Sequence, residues 1–464
     1  MLKSRAEYKN ISRWVIRNQK RLQAVRMAGL LAGDRSRDLW SETKRIRGSR
    51  LVHPNVVDCV VGDDEVCEVF YNRYCELYQS VPTDQGELNR IFDTLSEGVS
   101  QSCCRGTCYS DHLISVADLQ GAIKKLKTGK ADVDSRLSSD SFIYACDGLL
   151  THLSLFLNAL LRHPDAGVVL SKSVLVPIPK STKKSLNQSD NYRSIAISSI
   201  VGKCLDNIIL MKHDTILRSD DLHFGFKRNH STTQCTYVLN EVVDHYLRGG
   251  SRVHVVLLDA SRAFDRVHYG RLFSLLIDRK MCYAYAKLLL SMYTSQSLTV
   301  RWMNGISGSF ECKNGVKQGG VLSPILFSII IDVLLQRLRA CGVGCYLGHV
   351  FSGAVSYADD VSLMAPSISG AQKMLDECSK FAREFHLLFN CSKSQLLVFG
   401  SSHPSTRQLI LNDAPIPLVS FATRLGHVIG EGAPQRNLEK TICDLTIRAN
   451  MLSRNYSFVH FDHL

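Results

Sequence analysis

Two adjacent carboxylates, Asp359 and Asp360, lie between short apolar runs in the stretch Val355-Ser356-Tyr357-Ala358-Asp359-Asp360-Val361-Ser362-Leu363-Met364. Such runs joined by a tight connection read as a β-hairpin whose turn carries both acids. Two anions beside buried strands lose hydration and repel each other, so the arrangement calls for cations. Mg²⁺ suits that need, because it takes carboxylate oxygens together with phosphate oxygens. Aspartate is also a favoured turn residue. Taken alone, the stretch leaves two readings open, a metal site and an ordinary hairpin.

A second acidic position has the same character. The run Val253 to Leu258 is continuous, rich in β-branched residues and of strand length, and it ends directly in Asp259. Between the two acidic sites comes Gly315-Val316-Lys317-Gln318-Gly319-Gly320, a glycine-rich loop. It leads into a helix expected from Ser323-Pro324, a place where proline's missing amide hydrogen does no harm. Upstream, Val174 to Ile178 reads as a strand running into Pro179-Lys180, and Asn191-Tyr192-Arg193-Ser194-Ile195 follows a polar loop.

Helices are predicted over residues 5–30, 37–46, 64–79, 149–161, 232–247, 269–279, 283–294 and 369–388. Ser115-Val116-Ala117-Asp118 forms a capping box, where the ordered core is expected to begin, and 98–111 reads as a linker. A hairpin is expected over 298–312 with Asn304-Gly305 as its turn, and further strands near 396–399, 408–411 and 424–429. At 464 residues the chain can form two or three domains.

The net charge of +13 favours a polyanionic partner such as nucleic acid. Residues 1–50 carry 14 Lys/Arg against 4 Asp/Glu, whereas residues 58–98 carry 10 acidic side chains against only Arg73 and Arg90. A basic arm followed by an acidic segment suggests a nucleic-acid-contacting helix tied to a separate element, and a solvated helix face accounts equally well for the arm alone. The 16 cysteines are dispersed, and with no signal peptide in view they fit reduced thiols inside a cell. Cys103, Cys104 and Cys108 cluster, but no second group completes a zinc set. The longest apolar run, Val321 to Leu335, contains Asp332 and is too short to span a bilayer, so no membrane partner is expected.

The order Leu258-Asp259-Ala260-Ser261-Arg262-Ala263-Phe264-Asp265, then the glycine loop, then Tyr357-Ala358-Asp359-Asp360 resembles the reverse transcriptases of non-LTR (LINE-type) retrotransposons. The resemblance extends over roughly residues 110–430, and more faintly over the N-terminal arm. It implies an α/β (α+β) fold of right-hand polymerase type, with an antiparallel palm sheet, fingers, a helical N-terminal arm and a truncated thumb. The implied division is a basic helical arm and acidic linker at 1–110, fingers at 111–250, palm at 251–430 and the start of a thumb at 431–464.

By that resemblance Asp259 and Asp359, with Asp360 beside them, hold two Mg²⁺ ions, Mn²⁺ being able to substitute. Phe264 packs under the incoming sugar, while Gln318 and Gly319 meet the templating base and nucleotide. Lys180 and Arg193 grip the triphosphate, and Lys393 helps protonate the leaving pyrophosphate. Tyr357 and Ala358 shape the hairpin and touch the primer, and Arg424-Leu425-Gly426-His427 corresponds to a primer-gripping turn that usually has Tyr in place of Arg424. Asp265 reads as structural.

The implied partners are an RNA template, a DNA primer or nicked target DNA, and dNTPs, with an intracellular location: the nucleus for activity, a cytoplasmic ribonucleoprotein being the alternative. Endonuclease activity is expected from elsewhere, since none is seen before residue 1, and the thumb is expected to stop soon after residue 430. Four departures from the family pattern fall mostly in the fingers. They are Ser194 for Pro, His223 for Gln before Phe224-Gly225-Phe226, no Gly after Asp132 in Lys130-Ala131-Asp132-Val133-Asp134, and an eroded pattern around His163-Pro164-Asp165. The rival expectation is a catalytically silent RNA-binding remnant.

Overall fold

All six residues of Val253–Leu258 are buried, which requires that both faces of this strand be covered. The computed structural model describes residues 2–33, 38, 40, 42, 54–105, 112–133, 137–181, 184–400 and 408–456. In chain order the main strands are β1 (Ser173–Pro179), β2 (Tyr192–Ser198), β3 (Val253–Leu258), β4 (Ser297–Trp302), β5 (Gly305–Glu311), β6 (Ala354–Tyr357), β7 (Asp360–Ala365), β8 (Gln395–Phe399), β9 (Phe421–Arg424) and β10 (His427–Gly430). The helices that pack on them include α1 (Asp63–Leu77), α2 (Gln85–Gly98), α3 (Thr232–Arg248), α4 (Tyr283–Thr294), α5 (Ser323–Ala340) and α6 (Ile368–Glu384).

The first sheet has the order β6-β7-β3-β8, with every neighbour antiparallel. Side chains along β3 alternate between two cores. Val256 and Leu258 join Val361, Leu363 and Leu396 under α5 and α6, where Phe327, Leu334, Met374 and Phe381 lie. Val253, Val255 and Leu257 turn the other way, against Leu239 and Val242 of α3 and Ala422 and Ile429 of the β9–β10 hairpin. Each fully buried Val or Leu contributes about 1.5–3 kcal/mol, so β3 is pinned from both sides.

The second sheet runs β2-β1-β4-β5, with β1 and β4 parallel and the other pairs antiparallel. α1 lies on it, burying Phe70 and Tyr74 with Tyr192 and Trp302. The Phe70 ring centroid is 5.1 Å from that of Tyr192 and 5.0 Å from that of Trp302. The mixed α/β expectation is met, and Pro54–Glu431 form one compact unit. A second unit combines Met1–His53 with Gly432–Leu464; in it Arg448 lies over the Trp40 ring, 5.7 Å from its centroid. Among the described residues no helix is long and apolar enough to cross a membrane.

Four local expectations are corrected. The helix over 5–30 is two helices, Leu2–Arg17 and Gln19–Ala32, parted at Asn18, whose side-chain amide donates to the Trp14 carbonyl at 2.9 Å. Residues 98–103 are not linker: Gly98 ends α2 and Val99–Cys103 continue as a π turn, while Cys108 lies outside the described residues. Ordered structure begins before the Ser115 capping box, which is present, because α1 and α2 precede it. The β4–β5 turn is Met303-Asn304, since Trp302 pairs with Gly305. Gly305 is small for a different reason: a Cβ there would lie 2.8 Å from the Asp63 carbonyl oxygen. The helix expected over 37–46 and Asp134 also fall largely or wholly outside the described residues.

Candidate active site

The antiparallel register gathers three chain segments at one end of the first sheet. Val361 pairs with Leu258 and Gln395 with Leu257, so the end of β3, the start of β7 and the start of β8 coincide. One step beyond the Val361–Leu258 pair, Asp360 comes beside Asp259. Asp359 occupies the β6–β7 turn, because Tyr357 pairs with Asp360 across it. Ala358 has φ +58° and is the only one of the two turn residues with positive φ, the pattern of a type II′ turn. The turn is sheltered by Phe224-Gly225-Phe226, which runs beside β6: the Phe224 amide donates to the Ser356 carbonyl at 2.7 Å. A Cβ at Gly225 would run into the Ala358 amide nitrogen, so only glycine fits.

The Asp259 backbone is held on its other side by the loop that carries Lys393. Its amide donates to Ser394 Oγ at 3.2 Å and its carbonyl accepts from the Asn390 amide at 2.8 Å. Lys393 itself is exposed. Phe264 stacks on Phe327 with centroids 4.5 Å apart and meets Phe226 edge-on at 6.1 Å.

Arg424 pairs with His427 across the Leu425-Gly426 turn of the β9–β10 hairpin and reaches the acids. Its Nη1 is 2.9 Å from Asp360 Oδ1, and its Nη2 donates to the carbonyls of Leu258 at 2.6 Å and Val361 at 3.1 Å. The guanidinium thus lies against the acids with its side chain only 11% exposed. Burial raises the Asp359 carboxyl above its ordinary range, reinforced by repulsion from Asp360 and opposed by Arg424. Burial also raises Asp360, with Arg424 opposing and Asp259 adding to the shift. One guanidinium does not neutralise three carboxylates.

The glycine loop joins this end to the second sheet. The Ala196 amide of β2 donates to the Gln318 carbonyl of the loop at 2.7 Å. Gly319 has φ +103°, a conformation that L side chains rarely adopt. The Gln318 side-chain amide donates to both oxygens of Asp265, at 2.8 and 2.9 Å. Asp265 is buried, also accepts from Tyr78 Oη at 3.1 Å, and is pushed up to about 6 by burial. Tyr78 in turn lies 2.9 Å from Ser194 Oγ, so the serine in the family's usual proline position joins a hydrogen-bonded network. Asp132, from the loop lacking the usual glycine, accepts from the Ile200 amide at 2.7 Å.

Lys180 and Arg193 stand at adjoining ends of β1 and β2, joined by two cations the sequence reading did not select. Arg73 of α1 pairs with Asp190, and Arg262 lies 3.9 Å from the same carboxylate. Lys180 Nζ donates to the Asp190 carbonyl at 2.8 Å. Burial lowers the Lys180 ammonium, helped by repulsion from Arg73, Arg262 and Arg193. The hydrogen bond from Arg73 does most to hold the Asp190 carboxyl below its usual range. Arg262 had a visible signal, lying three residues beyond Asp259; Arg73 had none, being one of two cations in an acidic segment.

Residues 178–428 match the reverse transcriptase (RNA-dependent DNA polymerase) family. The chain belongs to that family. It is 25% identical to the Pol polyprotein of the type-2 retrotransposable element R2DM of Drosophila melanogaster, over 48% of this chain and 21% of that protein. It is 26% identical to the RNA-directed DNA polymerase of the mobile element jockey of Drosophila funebris, over 74% of this chain and 37% of that protein. A solved apo telomerase from Candida tropicalis, truncated from its C-terminal domain, superposes with TM-score 0.40 at 14% identity, over 57% of this chain and 55% of that one. The LINE-type resemblance is borne out by the retrotransposon relatives. This reverse transcriptase chain spans between 21% and 37% of the length of those two curated relatives.

Proposed function

We propose that this reverse transcriptase chain carries out RNA-templated DNA synthesis, adding dNTPs to a primer 3′-hydroxyl at the Asp259–Asp359–Asp360 end of the first sheet. The convergence of three carboxylates from two distant stretches, two of which, Asp359 and Asp360, are raised by burial, beside one guanidinium, carries this reading. All three offer hard oxygen donors and lack sufficient counter-charge, so the donor set fits Mg²⁺, with Mn²⁺ as a substitute. When bound, a pair of such ions supplies charge neutralisation at the attacking hydroxyl and at the leaving pyrophosphate.

The chain's own side chains supply the positioning. Lys180, Arg193, Arg73 and Arg262 form a cationic cradle suited to a triphosphate, with the forked guanidinium matching phosphate oxygens. Phe264, braced by Phe327, offers a fixed aromatic wall for the sugar. Gln318 is oriented by Asp265, so its backbone and the adjoining Gly319 face a bound nucleotide in one arrangement. Tyr357 and Ala358 contact the primer, and Lys393 gives a proton to the pyrophosphate. In this reading residues 111–250 act as fingers, 251–430 as palm, 1–110 as an arm and 431–464 as the start of a thumb. The partners are template RNA and a primer or nicked target DNA in the nucleus, nicked by another segment or protein.

The test is extension of oligo(dT) on poly(rA) with Mg²⁺ by the chain and by an Asp359→Ala, Asp360→Ala double variant. Extension by the parent and a loss of at least about 10³-fold in the variant is expected, by the scale of electrostatic groups at reacting centres. A folded, RNA-binding parent without extension would overturn the reading in favour of a silent remnant.

A further inference from the structure

Cys103, His112 and Cys282 each offer one ligand atom, and these three atoms all lie within 4.8 Å of one another. The two thiols are buried, 5% and 3% exposed, and their sulfurs are 3.8 Å apart. A disulfide needs about 2.05 Å, so this is not one. Two sulfurs at about 2.3 Å from a tetrahedral zinc stand about 3.8 Å apart, which is the spacing found. We propose that Cys103, His112 and Cys282 form a zinc site that clamps the segment before the reverse transcriptase match to the helix Tyr283–Thr294.

Each ligand comes from a different element. Cys103 ends the π turn Val99–Cys103 that continues α2. His112 precedes the Ser115 capping box, and its carbonyl is held by Tyr285 Oη at 3.0 Å. Cys282 is the N-cap of α4 and makes no side-chain capping bond. Two thiolates and a neutral imidazole with Zn²⁺ sum to no net charge, so the ion can sit beside an apolar core without an uncompensated charge. Thiolate and imidazole donors together select zinc over hard cations such as Mg²⁺, which keeps this site chemically apart from the three carboxylates.

The sequence hid this set because its members are far apart: Cys103 and Cys282 are separated by 179 positions. Nearby Cys104 is exposed and outside the group.

The test is zinc content of the full chain, purified without chelator or added metal, beside Cys103→Ser, Cys282→Ser and, as control, the exposed Cys146→Ser. One zinc per chain in the parent and control, with loss of that zinc in both site variants, is expected. Absence of zinc from the parent, or its retention by both site variants, overturns the proposal. Should the serine variants fail to fold, Co²⁺ titration of chelator-stripped parent decides. A one-to-one tetrahedral spectrum with a two-thiolate charge-transfer band supports the site, and its absence overturns it.

Discussion

The two charged ends of this molecule are near mirror images in composition and opposites in design. At the first sheet, three carboxylates share one guanidinium, Arg424, whose side chain is 11% exposed and tied to two strand carbonyls. At the second, four cations gather, and two of them, Arg73 and Arg262, lie against one carboxylate, Asp190, which is 80% exposed. A buried counter-ion is costly to dislodge, because it would leave another charge unpaired in a poorly solvated place. An exposed one exchanges readily, since surface ion pairs contribute little. The acidic end therefore has a resident partner and a remaining deficit of positive charge. The basic end has only an exposed partner carboxylate, which surface pairing holds weakly.

The largest break in this contrast comes from removing the cations that a ligand would use. Lys180→Ala with Arg193→Ala is expected to lower kcat/KM for dNTPs about 100-fold, the scale of two charge-assisted hydrogen bonds. Steady-state primer extension measures it, with an unchanged melting temperature showing that the fold survives.

Next comes Arg424→Met, expected to cost about 2 kcal/mol of stability by denaturant unfolding, as one half of a buried pair is lost. Its pH profile sharpens the point. Asp359 and Asp360 titrate above the usual carboxylate range, chiefly through burial, so acidification protonates them first and activity falls on the acid limb. Arg424 opposes that rise, so its removal moves the midpoint of the acid limb to higher pH. A midpoint moving to lower pH would refute the role of resident counter-ion.

The smallest effect is expected at this exposed carboxylate. Asp190→Asn lowers KM for dNTPs about two- to threefold and changes stability by less than about 0.5 kcal/mol. A rise in KM on the same assay would mean that Asp190 arranges the cations instead of occupying their place.

Much of this was legible in the chain because local pattern and global fold agree. β3, the β6–β7 hairpin, the glycine loop and the Ser115 capping box were each readable from a few consecutive residues. What escaped reading depends on partners distant in sequence. Arg73 acts through the second sheet, 117 positions from Asp190. Arg424 turns toward Leu258 from 166 positions away. Asn304-Gly305 was misassigned by a turn rule that is sound locally, because glycine was required there by contact with Asp63 and not by the turn.

The two-sided burial of β3 has a bearing on how the chain finds its alignment. In a strand with one wet face, sliding by one residue exposes the wrong side chains and is rejected. β3 has no wet face, so apart from His254 a slide would exchange one set of valines and leucines for another, which the apolar packing alone rejects weakly. The stronger discriminating mark is the charge: displaced inward, Asp259 would enter the ladder between β7 and β8 without its solvent or its loop partners, at several kcal/mol. The carboxylate at the end of β3 is thus also the alignment stop of the sheet, the residue that makes misthreading detectable.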